Sequence, residues 1–106
     1  MGFIQIIEFK TGDIDGVRKL QHDYRQATAG KNTIRGEILT QDRNDPRRYF
    51  NIVFFDSYES AMQNSHLPET QADLENYKPV LDGPPVFHDL DVIDGRPGSP
   101  ETHTPG

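Results

Sequence analysis

Between Phe3 and Ile93 the hydrophobic period of the chain switches repeatedly between two and about 3.6 residues, and this alternation constrains the fold more than anything else in the sequence. Phe3–Lys10 is β-rich, with Ile4, Ile6 and Ile7 set among phenylalanines, a near-continuous apolar run of the kind covered on both faces. Thr11-Gly12-Asp13 is a turn, and Asp13 is placed to cap a helix. Ile14, Val17, Leu20, Tyr24 and Ala27 then recur at helical spacing, with Arg18, Lys19, Asp23 and Arg25 mainly off that stripe and Gly30 at the C-terminal end.

A second strand is expected over Thr33–Thr40, where Arg35 and Glu37 share a face and can pair with each other or across strands. Asn44-Asp45-Pro46 supplies the turn into a third strand, Arg48–Asp56. In that strand Phe50, Ile52 and Phe54 point one way, towards the helices on this reading. Tyr49, Asn51, Val53 and Phe55 point the other way. Ser57 caps a helix through Tyr58, Ala61, Met62 and Ser65. Pro68 breaks it near Asn64–Leu67 and starts a second helical piece reaching to about Val80, with Leu74 and Tyr77 inward. Gly83-Pro84-Pro85 ends that piece, and Val86–Ile93 is the last strand. The resulting order, strand–helix–strand–strand–helix–strand, is the ferredoxin-like α+β arrangement, a four-stranded antiparallel sheet with helices on one face.

The chain of 106 residues has the size of one domain, read as residues 1–93, followed by a flexible tail over residues 94–106. The tail is rich in Pro, Gly, Ser and Thr and too poor in apolar residues to offset its ordering entropy. A net charge of -6 argues against nucleic acid or an anionic membrane as a partner, because both attract basic surfaces. There is no cysteine, which excludes disulfides and thiolate catalysis. No apolar run is long enough to span a bilayer, and Met1-Gly2-Phe3-Ile4 lacks the basic start of a signal peptide, so a cytoplasmic location is expected. The four histidines have no helical pairing at i, i+3 or i+4, so no metal site is visible.

Tyr49-Phe50-Asn51-Ile52-Val53-Phe54-Phe55-Asp56, followed by Ser57-Tyr58-Glu59-Ser60-Ala61-Met62, by Asn64-Ser65-His66 and by Pro68-Glu69-Thr70, resembles the antibiotic-biosynthesis-monooxygenase-like group of the dimeric α+β barrel superfamily. In that group an aromatic-rich strand leads into a Ser-x-Glu-x-Ala helix start, with a histidine shortly after. The resemblance spans about residues 3–93. It implies two chains pairing their sheets into a barrel, and a pocket between each sheet and its helices. Some members oxidise polycyclic aromatic compounds with oxygen and no metal or flavin. Others degrade haem with the help of a tryptophan, and the lack of tryptophan here counts against that activity.

These readings lead to two functional classes. One is a cofactor-free monooxygenase, or a related small-molecule enzyme, acting on an aromatic or polycyclic substrate in the cleft between sheet and helices. The other is a non-catalytic homodimer that binds a small apolar ligand. His66, at the helix break, is the candidate general base; otherwise it only satisfies loose backbone groups. His88, Asn51, Phe50, Phe54 and Tyr77 are the candidate substrate-binding groups, although a lone histidine such as His88 is more often a satisfied structural group. His22 reads as solvated, and His103 lies in the tail. The homodimer is expected on the face carrying Tyr49, Val53 and Phe55, so that an aspartate at Val53 or Phe55 would separate the subunits.

Overall fold

The computed structural model describes residues 2–95. Four strands and three helices follow in the order β1 (Phe3–Lys10), α1 (Ile14–Ala27), β2 (Gly36–Gln41), β3 (Arg48–Phe55), α2 (Tyr58–Ser65), α3 (Pro68–Tyr77) and β4 (Val86–Asp91). The sheet runs β2-β3-β1-β4, every neighbouring pair is antiparallel, and the helices pack on one face: the fold is ferredoxin-like α+β.

Local chemistry sets the element boundaries. The Asp13 carboxylate accepts from the Gly16 amide at 2.9 Å and caps α1. Gly30, with φ of 79°, turns the chain away beyond its end. Ser57 caps α2 by accepting from the Ser60 amide at 3.0 Å. Pro68 stands in the first turn of α3, where its missing N–H removes no helical bond, so the break between α2 and α3 falls where proline is tolerated. β2 starts three residues later than the sequence pattern indicates. Asn32 and Asn64 take the amides of Ile34 and Thr33, and this diverts the chain from the ladder until Arg35 donates to the Phe54 carbonyl at 2.7 Å. β4 is two residues shorter than expected, ending at Asp91.

The register reverses the expected assignment of faces. Phe3 lies opposite Phe55, Ile7 opposite Asn51 and Phe9 opposite Tyr49, so these residues share one face of the sheet. That face is the one under the helices. Phe3, Val53 and Phe55 pack with Ala61 of α2, and Phe9 and Tyr49 pack with Val17 of α1. The other face carries the rows Ile38–Ile52–Ile6–His88 and Gly36–Phe54–Ile4–Leu90, and no helix covers it. Both faces of β3 are apolar, so alternation alone could not say which one meets the helices.

On α1 the stripe read in the sequence holds at Val17, with Ile14, Leu20 and Tyr24 partly buried, and fails at Ala27. Val17 and Gln21 are its buried residues and Thr28 is fully enclosed just beyond it, whereas Ala27 is exposed. The Thr28 hydroxyl donates to the Tyr24 carbonyl at 2.8 Å, which allows a polar side chain to close the helix inside the core. On α3 Tyr77 faces inward but Leu74 is exposed, and Asp73 takes the inward position instead. The tail expected from Asp94 onwards lies almost wholly outside the described residues.

The face reversal changes what substitutions in β3 should do. Phe55, only 6% exposed, belongs to the core and not to a subunit contact. Phe55→Ala should cost about 3–5 kcal/mol of folding stability, measured by urea denaturation, and an aspartate at Val53 or Phe55 should unfold the chain rather than separate folded subunits.

Candidate functional site

Under the helices, the β2–β3 half of the sheet presents two polar side chains in otherwise apolar surroundings. Asn51 is 6% exposed, and its Nδ2 donates to Glu37 Oε2 at 2.8 Å. Glu37 stands opposite Val53, diagonal to Asn51, and its side chain is 17% exposed. Its Oε1 accepts two hydrogen bonds from Arg25 of α1, from Nε at 3.1 Å and from a terminal nitrogen at 3.0 Å. Arg25 and Glu37 therefore form an ion pair between helix and sheet. Arg35 and Glu37 do not pair with each other; Arg35 pairs across strands with Asp56 at 2.8 Å.

This arrangement fixes which way the Asn51 amide points. An ionised carboxylate only accepts hydrogen bonds, so Glu37 must receive the NH₂ end. The carbonyl end is left over, and Asn51 Oδ1 is buried with no hydrogen-bond partner among the described residues. An orphaned buried acceptor is costly in a finished core, and it fits a position where a ligand donates a hydrogen bond.

α3 brings two more titratable groups to the same place. Asp73 and Tyr77 stand one turn apart. Burial, reinforced by the Glu37 carboxylate, pushes the Asp73 carboxyl up to about 6. Burial and the nearby Asp73 and Glu37 carboxylates push the Tyr77 phenol up, so it stays neutral near pH 7. Leu39, Tyr77, Val80 and Leu81 pack against the buried cluster of Phe9, Val17 and Tyr49. A hollow of about 470 Å³ runs along α1, lined by Asp15, Arg18, Lys19, Gln21, His22 and Arg25, with Leu39 of β2 at its edge. Arg25 thus stands between that hollow and the buried Glu37–Asn51 pair.

A second polar network locks the helices in place. The Tyr24 hydroxyl meets Thr70 Oγ1 at 2.7 Å and accepts from Asn64 Nδ2 at 3.1 Å, while Asn64 Oδ1 accepts the Thr33 amide at 3.3 Å. Here every Asn64 group is used, unlike those of Asn51, and the network reads as structural.

Of the residues singled out in the sequence, Asn51 and Tyr77 lie on the helix side of the sheet, Asn51 bound to Glu37 and Tyr77 packed against Phe9, Val17 and Tyr49. The others lie elsewhere. His66 is exposed at the C-terminal cap of α2, where its backbone amide closes the helix on Met62. His88 is exposed on β4 and sits 3.2 Å from Glu8 on the helix-free face. Phe50 and Phe54 also belong to the helix-free face and cannot wall the cleft, because β3 presents Asn51 and its alternate residues to the helices. Arg25, Glu37 and Asp73 were not among the candidate site residues of the sequence, because charged residues on helix and strand surfaces are usually solvated. The available signal was the i, i+4 spacing of Asp73 and Tyr77 on a short helix. Among the described residues no group of three or more His, Asp or Glu is placed to hold a metal ion, and no helix is long and apolar enough to cross a membrane.

Comparison with solved structures finds many matches of the whole domain. A protein of Caulobacter crescentus, named as an antibiotic biosynthesis monooxygenase by assignment, superposes with a TM-score of 0.75 at 14% identity, covering 88% of this chain and 91% of that one. SnoaB of Streptomyces nogalater, a cofactor-independent oxygenase, gives a TM-score of 0.75 at 9% identity over 91% of this chain and 97% of its own. Rv0793 of Mycobacterium tuberculosis gives 0.73 at 13% identity over 90% and 98%. These proteins share the fold of this chain. No protein-family model and no curated protein matches the sequence. The likeness to these solved structures is one of backbone architecture.

The Asp73 carboxyl gives this site a pH signature. Its folded pKa of about 6 lies above the ordinary value of 3.8, so the folded state holds the proton more tightly. Stability therefore falls as pH rises from about 4 to about 6, and the penalty is fully present above that window. Asp73→Asn should stabilise the protein at about pH 8 by on the order of 1 kcal/mol, after allowing for solvent screening of a half-exposed group. It should change little at about pH 4. Thermal unfolding at the two pH values checks this.

Proposed function

We propose that the protein is a small-molecule enzyme of the cofactor-independent oxygenase type, working as a homodimer on an aromatic, hydroxyl-bearing substrate held between sheet and helices. The unpartnered Asn51 Oδ1 carries this reading. It is a buried acceptor in a largely apolar site, its amide oriented by Glu37, which Arg25 holds in place. A substrate hydroxyl would satisfy it. The aliphatic and aromatic walls around Tyr77 suit a flat apolar body. The shared fold with SnoaB favours oxygen chemistry over other reactions of phenols.

The homodimer part of the reading rests on the helix-free face. Ile4, Ile6, Ile38 and Ile52 form its centre, and Leu90 and Val86 at its margin are 43% and 50% exposed. A continuous apolar face of this kind suits a self-complementary contact with a second copy. The cleft and the contact would then occupy opposite faces of one sheet.

Oxygen consumption with a panel of polycyclic phenols, without added metal or flavin, tests the activity. Asn51→Ala should lower kcat/KM by about 10–100-fold, the loss of one buried hydrogen bond to the reacting molecule. Binding without oxygen consumption would favour a ligand-binding protein instead. Ile52→Asp should give a folded monomer by light scattering, because a buried unpaired charge costs several kcal/mol at an interface. A wild-type monomer at micromolar concentration would remove the homodimer.

A further inference from the structure

α1 carries an amide where its inward stripe would ordinarily hold an aliphatic side chain. Gln21 follows Val17 by one turn and is only 6% exposed. The buried polar residues among those described are Thr11, Gln21, Thr28, Asn51 and Asn64. Thr11 donates to the Val80 carbonyl at 2.6 Å and Thr28 to that of Tyr24 at 2.8 Å, and both asparagines bind through their amides. The Gln21 amide makes no hydrogen bond among the described residues. An amide in that position costs stability unless something meets it. Its atoms are not sealed in: Asn51 Oδ1 is the one fully enclosed side-chain atom without a partner among the described residues. The open space that Gln21 touches is the hollow along α1, of which it is the one buried lining residue.

The groups around that amide are cationic. Arg18 stands one turn before Gln21 and Arg25 one turn after it, with Lys19 and His22 beside them in the same lining. Positive charge is thus gathered on one flank of a chain whose net charge is -6. Lys19 is committed to Asp23 at 2.9 Å and Arg25 to Glu37 at 3.0 Å, whereas Arg18 has no ion pair among the described residues. The free groups are therefore a guanidinium and an amide one turn apart. Both present N–H donors from a planar group, which suits the two oxygens of a carboxylate. Asp15 lines the hollow one turn before Arg18 without pairing with it, so a ligand carrying two negative charges would be repelled. Leu39 offers an apolar wall for the body of the ligand.

We propose that the hollow along α1 is a binding site for a small monocarboxylate, held between the Arg18 guanidinium and the Gln21 amide with its apolar body against Leu39. The site lies on the helix side of the sheet, so a second chain seated on the isoleucine face would leave it open. It is independent of oxygen chemistry and of the Asn51 acceptor. It also accounts for Gln21: a leucine there would suit the core better but could not meet the ligand.

Benzoate titrated into the isotope-labelled full chain tests this by NMR, at about pH 7.5 so that the carboxylate is ionised. The Gln21 side-chain NH₂ and Arg18 Nε–H resonances should shift and saturate with a Kd of about 1 mM or tighter. Benzamide, with the same ring and no charge, should bind at least about tenfold more weakly, and phenyl phosphate no more tightly than benzoate. Arg18→Gln, at an exposed position where the fold is safe, and Gln21→Leu should each weaken benzoate binding at least about fivefold. Gln21→Leu should also raise the melting temperature, since it removes a buried amide without a partner. Benzamide binding as tightly as benzoate overturns the carboxylate, and tighter binding of phenyl phosphate overturns the limit to one charge. A lower melting temperature in Gln21→Leu with benzoate affinity unchanged makes Gln21 a core residue and overturns its role. Shifts that leave Gln21 and Arg18 still, or no saturable shift up to about 20 mM benzoate, overturn the site itself.

Discussion

The antiparallel register of β1 against β3 is the constraint on which the rest of the structure depends. Eight residues on each strand pair in sequence, from Phe3 with Phe55 to Lys10 with Arg48. Side chains alternate with a period of two, so a slip of one residue would exchange the two faces of the central pair. The register in place sends Phe3, Ile7, Phe9, Tyr49, Val53 and Phe55 to the helices, and the aromatic contacts of the core follow from it. Phe9 stacks on Tyr49 at 5.7 Å, and Phe3 meets Tyr58 edge-on at 5.5 Å. The same register places Asn51 between Ile7 and Leu39, where an amide needs partners.

Two asparagines then show how polar groups inside this helix layer divide between architecture and chemistry. Asn64 joins α2 to Tyr24 of α1 and to the Thr33 amide, and through Tyr24 the network reaches Thr70 of α3. Those bonds close the layer and set the roll of α3. Asn51 receives only half of what it needs, because Glu37 can accept but not donate. The rigidity of the first network makes the incompleteness of the second persistent: α3 is held so that Asp73 faces inward, and Arg25 holds Glu37 so that the Asn51 carbonyl stays free. The raised Asp73 pKa is a consequence of that enforced placement near another carboxylate in a partly dry site.

The sheet separates its two tasks by face. Residues presented to the helices build the core and the polar cleft, and the opposite residues build an uncovered isoleucine surface. Charges gather at one margin of that surface, where Glu8 lies 3.2 Å from His88 and 3.8 Å from Arg48, and Arg48 also binds Asp42 at 2.8 Å. A polar margin beside an apolar centre is the usual anatomy of a protein–protein contact.

Much of the architecture was legible in the sequence because it is written locally. The alternation of periods gave the order of elements, Asp13 and Ser57 mark helix starts by capping, and Pro68 fixes the break between α2 and α3 through its missing N–H. Asn51 and Tyr77 could be named as candidates from residue type, and both lie on the helix side of the sheet. The tertiary structure decided which face of β3 is covered, since Phe50, Ile52 and Phe54 are as apolar as Tyr49, Val53 and Phe55, and only packing against α1 and α2 distinguishes them. It also decided the partners of Glu37, the inward turn of Asp73 and the solvent-facing positions of His66 and His88. Each depends on contacts between residues far apart in the chain, and spacing along one element does not contain that information.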